Sequence, residues 1–169
     1  MLPKNRLVSG VALALMLPAR GTDSIFFIAK SENRNQVHYA VRVDESCRPL
    51  GANPVHGYWR MFERGETVVE PLLGIEVPVY GLADTQLVES TPGGWRVQVR
   101  LQAFAQRPIS IAISQENGRC VTRAWTKVGE ETARLDHVFV RMAWPFGIKD
   151  VVLNGVGPDG QSVSEALRP

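Results

Sequence analysis

Lys30, Asn33 and Asn35 crowd one short polar stretch, flanked by Glu32, Arg34 and Gln36. Tyr39, Tyr58, Trp59 and Arg60 follow on segments patterned to lie beside it. An ammonium and two carboxamides offer hydrogen bonds to an anionic or sugar-like ligand, and aromatic rings supply the floor beneath it. The same residues also suit a plainer role. Asparagines shape turns through their own backbone, and aromatic side chains fill cores. The candidate ligand-binding set is therefore Lys30, Asn33, Asn35, Tyr39, Tyr58 and Arg60, with the turn-and-core reading kept beside it.

Signatures of covalent chemistry are absent. His38, His56 and His137 all fall on strand-like segments, and none forms the closely spaced pair that metal sites use, so no metal and no cofactor are expected. Asp136 and His137 are neighbours, so on a regular strand they point to opposite faces and form no dyad. There is no G-x-S-x-G elbow, and neither cysteine has a histidine close in sequence. Gly93-Gly94 and Gly155-Val156-Gly157 read as turns, and Glu130-Glu131 as solvated charge. A hydrolase or transferase would have to assemble its site from distant residues, such as His56 or His137 with Arg60 and an acid.

Strands must position these groups. Residues 25–29 are an apolar run rich in pleat-forming types. Residues 30–35 are polar, and their asparagines tolerate a left-handed backbone. From Val37 to Asp44, apolar and mostly polar residues alternate with period two. Residues 25–44 therefore predict an antiparallel hairpin, which needs a second layer against its apolar face. A third strand is expected over residues 56–64, with large groups on both faces. Residues 68–76 space their apolar side chains as one short helix would, with Pro71 in its first turn. Further strands follow over residues 85–89, 95–103, 109–114, 120–127, 135–144 and 149–155, with Asn117-Gly118 as a hairpin turn.

The pattern Asn33-x-Asn35-x-Val37-x-Tyr39, then Pro54-Val55-x-x-Tyr58-Trp59, then Glu70-Pro71-Leu72-Leu73-x-Ile75-Glu76 and Tyr80-Gly81, resembles an uncharacterised bacterial family. That family is known only as a domain of unknown function, four-eight-three-three. The likeness runs from about Phe26 to Gly155 and is strongest in the first half. The chain departs from it at Val79, where Ala is usual. The resemblance implies a small β-rich domain, and it supplies no activity and no catalytic residues.

The chain has 169 residues, enough for one domain with a real core, and a formal net charge of +2, too small to imply a nucleic-acid partner. Lys4 and Arg6 precede an apolar stretch from Leu7 to Leu17, too short to cross a bilayer, and Ala19 follows. Residues 1–21 thus read as a signal peptide or a disordered N-terminus, residues 22–157 as a single β domain, and residues 158–169 as a polar tail. No other segment is long and apolar enough to be a transmembrane helix. Export to the periplasm or beyond makes one disulfide between Cys47 and Cys120 a candidate. About nine strands with short connections predict an all-β, mainly antiparallel fold, a β-sandwich or closed barrel with one short helix.

The expected function is an exported envelope domain that binds a small molecule or envelope protein through the hairpin, without catalysis. The enzyme described above is one alternative, and a structural component of an envelope assembly is another. Export has a direct check. Intact mass of protein taken from the envelope should correspond to a chain beginning at Arg20, and recovery of full-length chain from the cytoplasm alone would contradict it.

Overall fold

The computed structural model describes residues 20–83, 85–102, 104–144 and 147–168. The signal-peptide reading of residues 1–19 lies outside the described residues. Strands run in the order β1 (Arg20–Gly21), β2 (Phe26–Lys30), β3 (Asn33–Val43), β4 (Val55–Arg60) and β5 (Val69–Pro71). One four-residue helix, α1 (Val77–Tyr80), follows. Then come β6 (Leu87–Thr91), β7 (Gly94–Leu101), β8 (Phe104–Glu116), β9 (Arg119–Val128), β10 (Glu131–Ala143), β11 (Gly147–Val156) and β12 (Ser162–Leu167).

The long strand β10 holds the fold together. Along residues 134–143 one of its edges pairs antiparallel with β11. A strand has only two edges, so its other partners must share the second one. Glu131–Arg134 pair there with β9, antiparallel, and His137–Val140 pair with β2, parallel. The sheet therefore branches at β10. One wing runs β2-β3-β4-β5 and the other β9-β8-β7-β6, while β11 carries β12 on its far edge. The expected all-β chain is found, but its sheet is mixed, through the β2–β10 pair. The path of hydrogen-bonded strands ends at β5 and β6, so the sheet is not a closed barrel.

Both wings feed one core. Val37, Tyr39 and Val41 of β3 alternate inward, as do Val97 and Val99 of β7 and Ile109, Ile111 and Ile113 of β8, and all belong to a single apolar cluster. Tyr39 has no exposure and stacks on Phe26 with ring centroids 4.5 Å apart. Its hydroxyl donates to the Tyr80 carbonyl at 2.6 Å. Gly57 lies opposite Tyr39 in the ladder, and a Cβ there would meet Leu72 Cδ1 at 2.9 Å and Tyr39 Cε1 at 3.2 Å. The missing side chain thus makes room for the tyrosine ring and for Leu72.

Three local expectations are corrected. Residues 68–76 form no helix. Val69–Pro71 pair with β4 as an outer strand, where a proline gives up little because its missing N–H lies at the sheet margin. The helix comes later, and its early proline is Pro78. The polar tail, residues 158–169, contains β12, which pairs with β11 from Ser162 to Leu167. Glu165 pins it there by accepting from Arg107 Nη2 at 2.7 Å and from the Gly129 amide at 2.8 Å. Arg20–Gly21 pair with Val43 and Arg42, so ordered sheet begins inside the segment assigned to the leader, residues 1–21. The Asn117-Gly118 turn follows the sequence, with φ of 50° and 74°.

Cys47 and Cys120 are joined, with Cα atoms 5.3 Å apart and a sequence separation of 73. The bond ties the β3–β4 connection to the start of β9, and so one wing to the other. Closing so long a loop should stabilise the fold by roughly 2–4 kcal/mol. Equilibrium urea unfolding of the Cys47→Ser, Cys120→Ser protein should show a loss of that size. An unchanged midpoint would mean that the wings are held without the bond.

Candidate functional site

The β2–β3 hairpin turns at Ser31-Glu32, with Lys30 opposite Asn33. Neither asparagine has the left-handed backbone expected from the sequence; among the described non-glycine residues only Cys47 and Asn117 have positive φ. The asparagines act through their side chains. Asn33 Oδ1 accepts from the Asn35 amide at 3.1 Å, and Asn35 Oδ1 accepts from the Glu63 amide at 3.1 Å. The second bond fastens the hairpin to the turn that follows β4.

These attachments leave a mouth of about 140 Å³ at one end of the core. Lys30 and Asn35 come from the hairpin, Trp59 and Met61 from β4 and its exit, Glu70 and Pro71 from β5, and Leu73 and Glu76 from the approach to α1. The Lys30 ammonium sits 5.1 Å from the centre of the Trp59 ring, a cation–π distance. Trp59 packs edge-on against Tyr80 at 5.2 Å, and its indole N–H is buried with no acceptor. Glu70 pairs with Arg64, and Glu76 Oε2 accepts from the Leu73 amide at 2.7 Å. Among the described residues no carboxylate forms an ion pair with Lys30.

The six sequence candidates thus separate. Lys30 and Asn35 share the mouth. Asn33 lines a shallower groove on the other side of the hairpin with Arg34, Gln36 and Phe62. Tyr39 is buried in the core, where burial pushes its phenol well above the ordinary value. Tyr58 and Arg60 lie on the outer face of the sheet, with Arg60 stacked over Phe62 at 4.9 Å and bonded to the Glu66 carbonyl. Glu70 and Glu76 were missed as site residues. Both stand in the pattern that resembles the family, but they join the hairpin only through the β4–β5 pairing and the turn before α1.

The outer face holds the histidines. His137, Phe27, His38 and Tyr58 stand in one cross-strand row over β10, β2, β3 and β4. Phe27 stacks between the two imidazoles at 5.1 and 5.3 Å. The expectation that Asp136 and His137 cannot pair is wrong. A bulge between Leu135 and His137 makes Asp136 the extra residue, and its carboxylate accepts from His137 Nδ1 at 2.7 Å. His56 and His137 lie on β4 and β10 with two strands between them, and His56 shares its strand with Arg60. His56 is pulled down by burial, and its Nδ1 has no partner.

His38 is held at both ring nitrogens. Ser24 Oγ lies 2.7 Å from Nδ1 and Gln36 Oε1 lies 3.0 Å from Nε2. This fits a neutral ring that accepts at Nδ1 from the serine and donates at Nε2 to the amide. Burial first, and the Arg60 charge second, lower its pKa to about 4. So weak a base activates a serine hydroxyl poorly at neutral pH. The geometry makes His38 a staple between the N-terminal segment and β3.

A family model described as Domain of unknown function (DUF4833) matches residues 26–166, and the chain belongs to that family. No curated protein and no solved structure matches the chain.

The depressed His38 pKa has a consequence for stability. Above pH 6.5 the imidazole is neutral folded or unfolded, and its contribution is fully present. As pH falls from 6.5 towards about 4 the unfolded chain takes up the proton first, so stability is lost across that window. Urea midpoints of the wild type should fall more steeply over this range than those of His38→Gln, which lacks the titrating ring. Parallel curves would show that His38 does not titrate differently in the two states.

Proposed function

We propose that the chain is an exported, non-enzymatic binding domain whose ligand seat is the mouth at the hairpin tip. The observation that carries this reading is a convergence. Three stretches far apart in sequence, residues 33–39, 54–59 and 70–76, each send a side chain to one concavity: Asn35, Trp59, and Glu70 with Glu76. These are the stretches on which the family resemblance rests. A cavity with an aromatic wall and a few unspent polar groups is the usual form of a small-molecule site.

The rim fits the same role. Leu73 and Ile75 are 62% and 88% exposed beside the polar lining, and Val77 is partly exposed. An apolar lip of this kind beside a polar seat suits a ligand with an apolar portion, or the surface of an envelope partner. The Cys47–Cys120 bond supports export, because such bonds persist in oxidising compartments.

Native mass spectrometry of mature protein from its own envelope tests the seat. The expected result is a small-molecule adduct that is lost from a Lys30→Met, Glu76→Gln variant of unchanged thermal midpoint. Methionine keeps the stem over Trp59, and glutamine keeps an acceptor for the Leu73 amide, so the fold should change by no more than about 0.5 kcal/mol. An adduct that survives in this variant would place the ligand elsewhere.

A further inference from the structure

The lining of the mouth names a ligand class. Lys30 and Glu76 carry opposite charges in one cavity and do not pair with each other. Glu70 is compensated from outside by Arg64, so it adds no net charge. What remains is one cation and one anion held apart. Each is satisfied only in part by the protein. Lys30 rests on the Trp59 ring, which attracts its charge without accepting a hydrogen bond, and Glu76 spends one oxygen on the Leu73 amide.

The amides repeat this asymmetry. The oxygen of Asn35 is committed to the Glu63 amide, so its Nδ2 keeps both donors. Lys30 and Asn35 together form a donor end. Glu76 Oε1 and the free oxygen of Glu70 form an acceptor end, with Trp59 and Leu73 also in the lining. A simple anion would satisfy the donor end and leave Glu76 facing it unpaired. A simple amine would do the converse. A neutral sugar would leave both charges uncompensated.

We infer that the mouth binds a small zwitterion of the amino-acid class, with its carboxylate against Lys30 and Asn35 and its ammonium towards Glu76 and Glu70. This rests on the mouth being the ligand seat. The volume of about 140 Å³ suits a molecule of this size, and the exposed Leu73 in the lining offers contact to an apolar side chain. The same head groups could come from a free amino acid or from a short peptide, which spaces its two charges further apart.

Calorimetric titration of the mature protein separates the cases. The probes are free α-amino acids, their dipeptides, N-acetyl amino acids without the ammonium, and amino-acid amides without the carboxylate. Free amino acids or dipeptides should bind, whichever spacing the seat accepts, and both blocked forms should lose roughly tenfold or more, as expected when a charged hydrogen-bonding group is left unpaired. Lys30→Met should cancel the advantage of the carboxylate, and Glu76→Gln that of the ammonium, each with an unchanged thermal midpoint. Equal binding of blocked and unblocked forms, or a neutral sugar that binds where amino acids do not, overturns the zwitterion while leaving the seat. An adduct in native protein that is indifferent to both substitutions overturns the seat, and this inference with it.

Discussion

One strand edge organises this molecule. β10 gives the same edge to β9 over Glu131–Arg134 and to β2 over His137–Val140, in opposite directions. No strand can lie flat against two partners there, so the sheet must divide. The division makes the domain possible. A half-apolar hairpin such as β2–β3 cannot stand alone in water, and the branch supplies a second wing whose apolar side chains enter the same cluster. It also sets β2 in parallel against a strand more than a hundred residues later. That contact is highly non-local, and the Cys47–Cys120 bond restrains the chain against the entropy it costs.

The mouth follows from how the β2–β5 wing ends. Tyr39 fills the core from β3 and uses its hydroxyl to hold the Tyr80 carbonyl, and Tyr80 in turn abuts Trp59. Gly57 yields the space that Tyr39 and Leu72 occupy. The segment through Leu73 and Glu76 is thereby hung across the end of the sheet, instead of packing onto it as a helix. A packed amphipathic helix at residues 68–76 would have buried Leu73 and Ile75. The short outer strand and the turn after it leave them outside and bring two carboxylates into the cavity that Lys30 lines.

Much of this was legible in sequence, and the failures have physical causes. Period-two alternation located the strands through residues 95–103 and 109–114, and Asn117-Gly118 located a turn, because both signals are local. Residues 68–76 misled because short apolar spacings suit a helix and an outer strand alike, and the free edge of β4 decides between them. The tail misled because β12 is an edge strand, half exposed, held by pairing and by Glu165 more than by apolar pattern. At the site, Lys30 and Asn35 were legible as unspent polar groups beside a turn. Tyr39 looked the same in sequence, yet its ring stands on the inward side of the strand. Glu70 and Glu76 were not legible, since only tertiary pairing brings them near Lys30. The Asp136–His137 bond depended on a bulge, which shifts a side chain without leaving a sequence signal.

The asymmetry between the two faces of the same wing bears on which one is used. On the outer face the polar groups are largely spent: His38 is bonded at both nitrogens, His137 is paired with Asp136, and Arg60 is stacked and bonded. Spent groups rigidify a sheet and leave little for a ligand. At the mouth, Lys30 lies partly buried over an aromatic ring without a carboxylate, and Trp59 keeps a buried N–H without an acceptor. An orphaned buried donor costs about 1–3 kcal/mol. Glu70 and Glu76 line the same cavity, but each is engaged elsewhere, with Arg64 and with the Leu73 amide. The buried orphans among the described residues are thus divided, His56 Nδ1 on the outer face and Trp59 Nε1 beside the mouth, and only the mouth adds to its orphan an ammonium without a carboxylate.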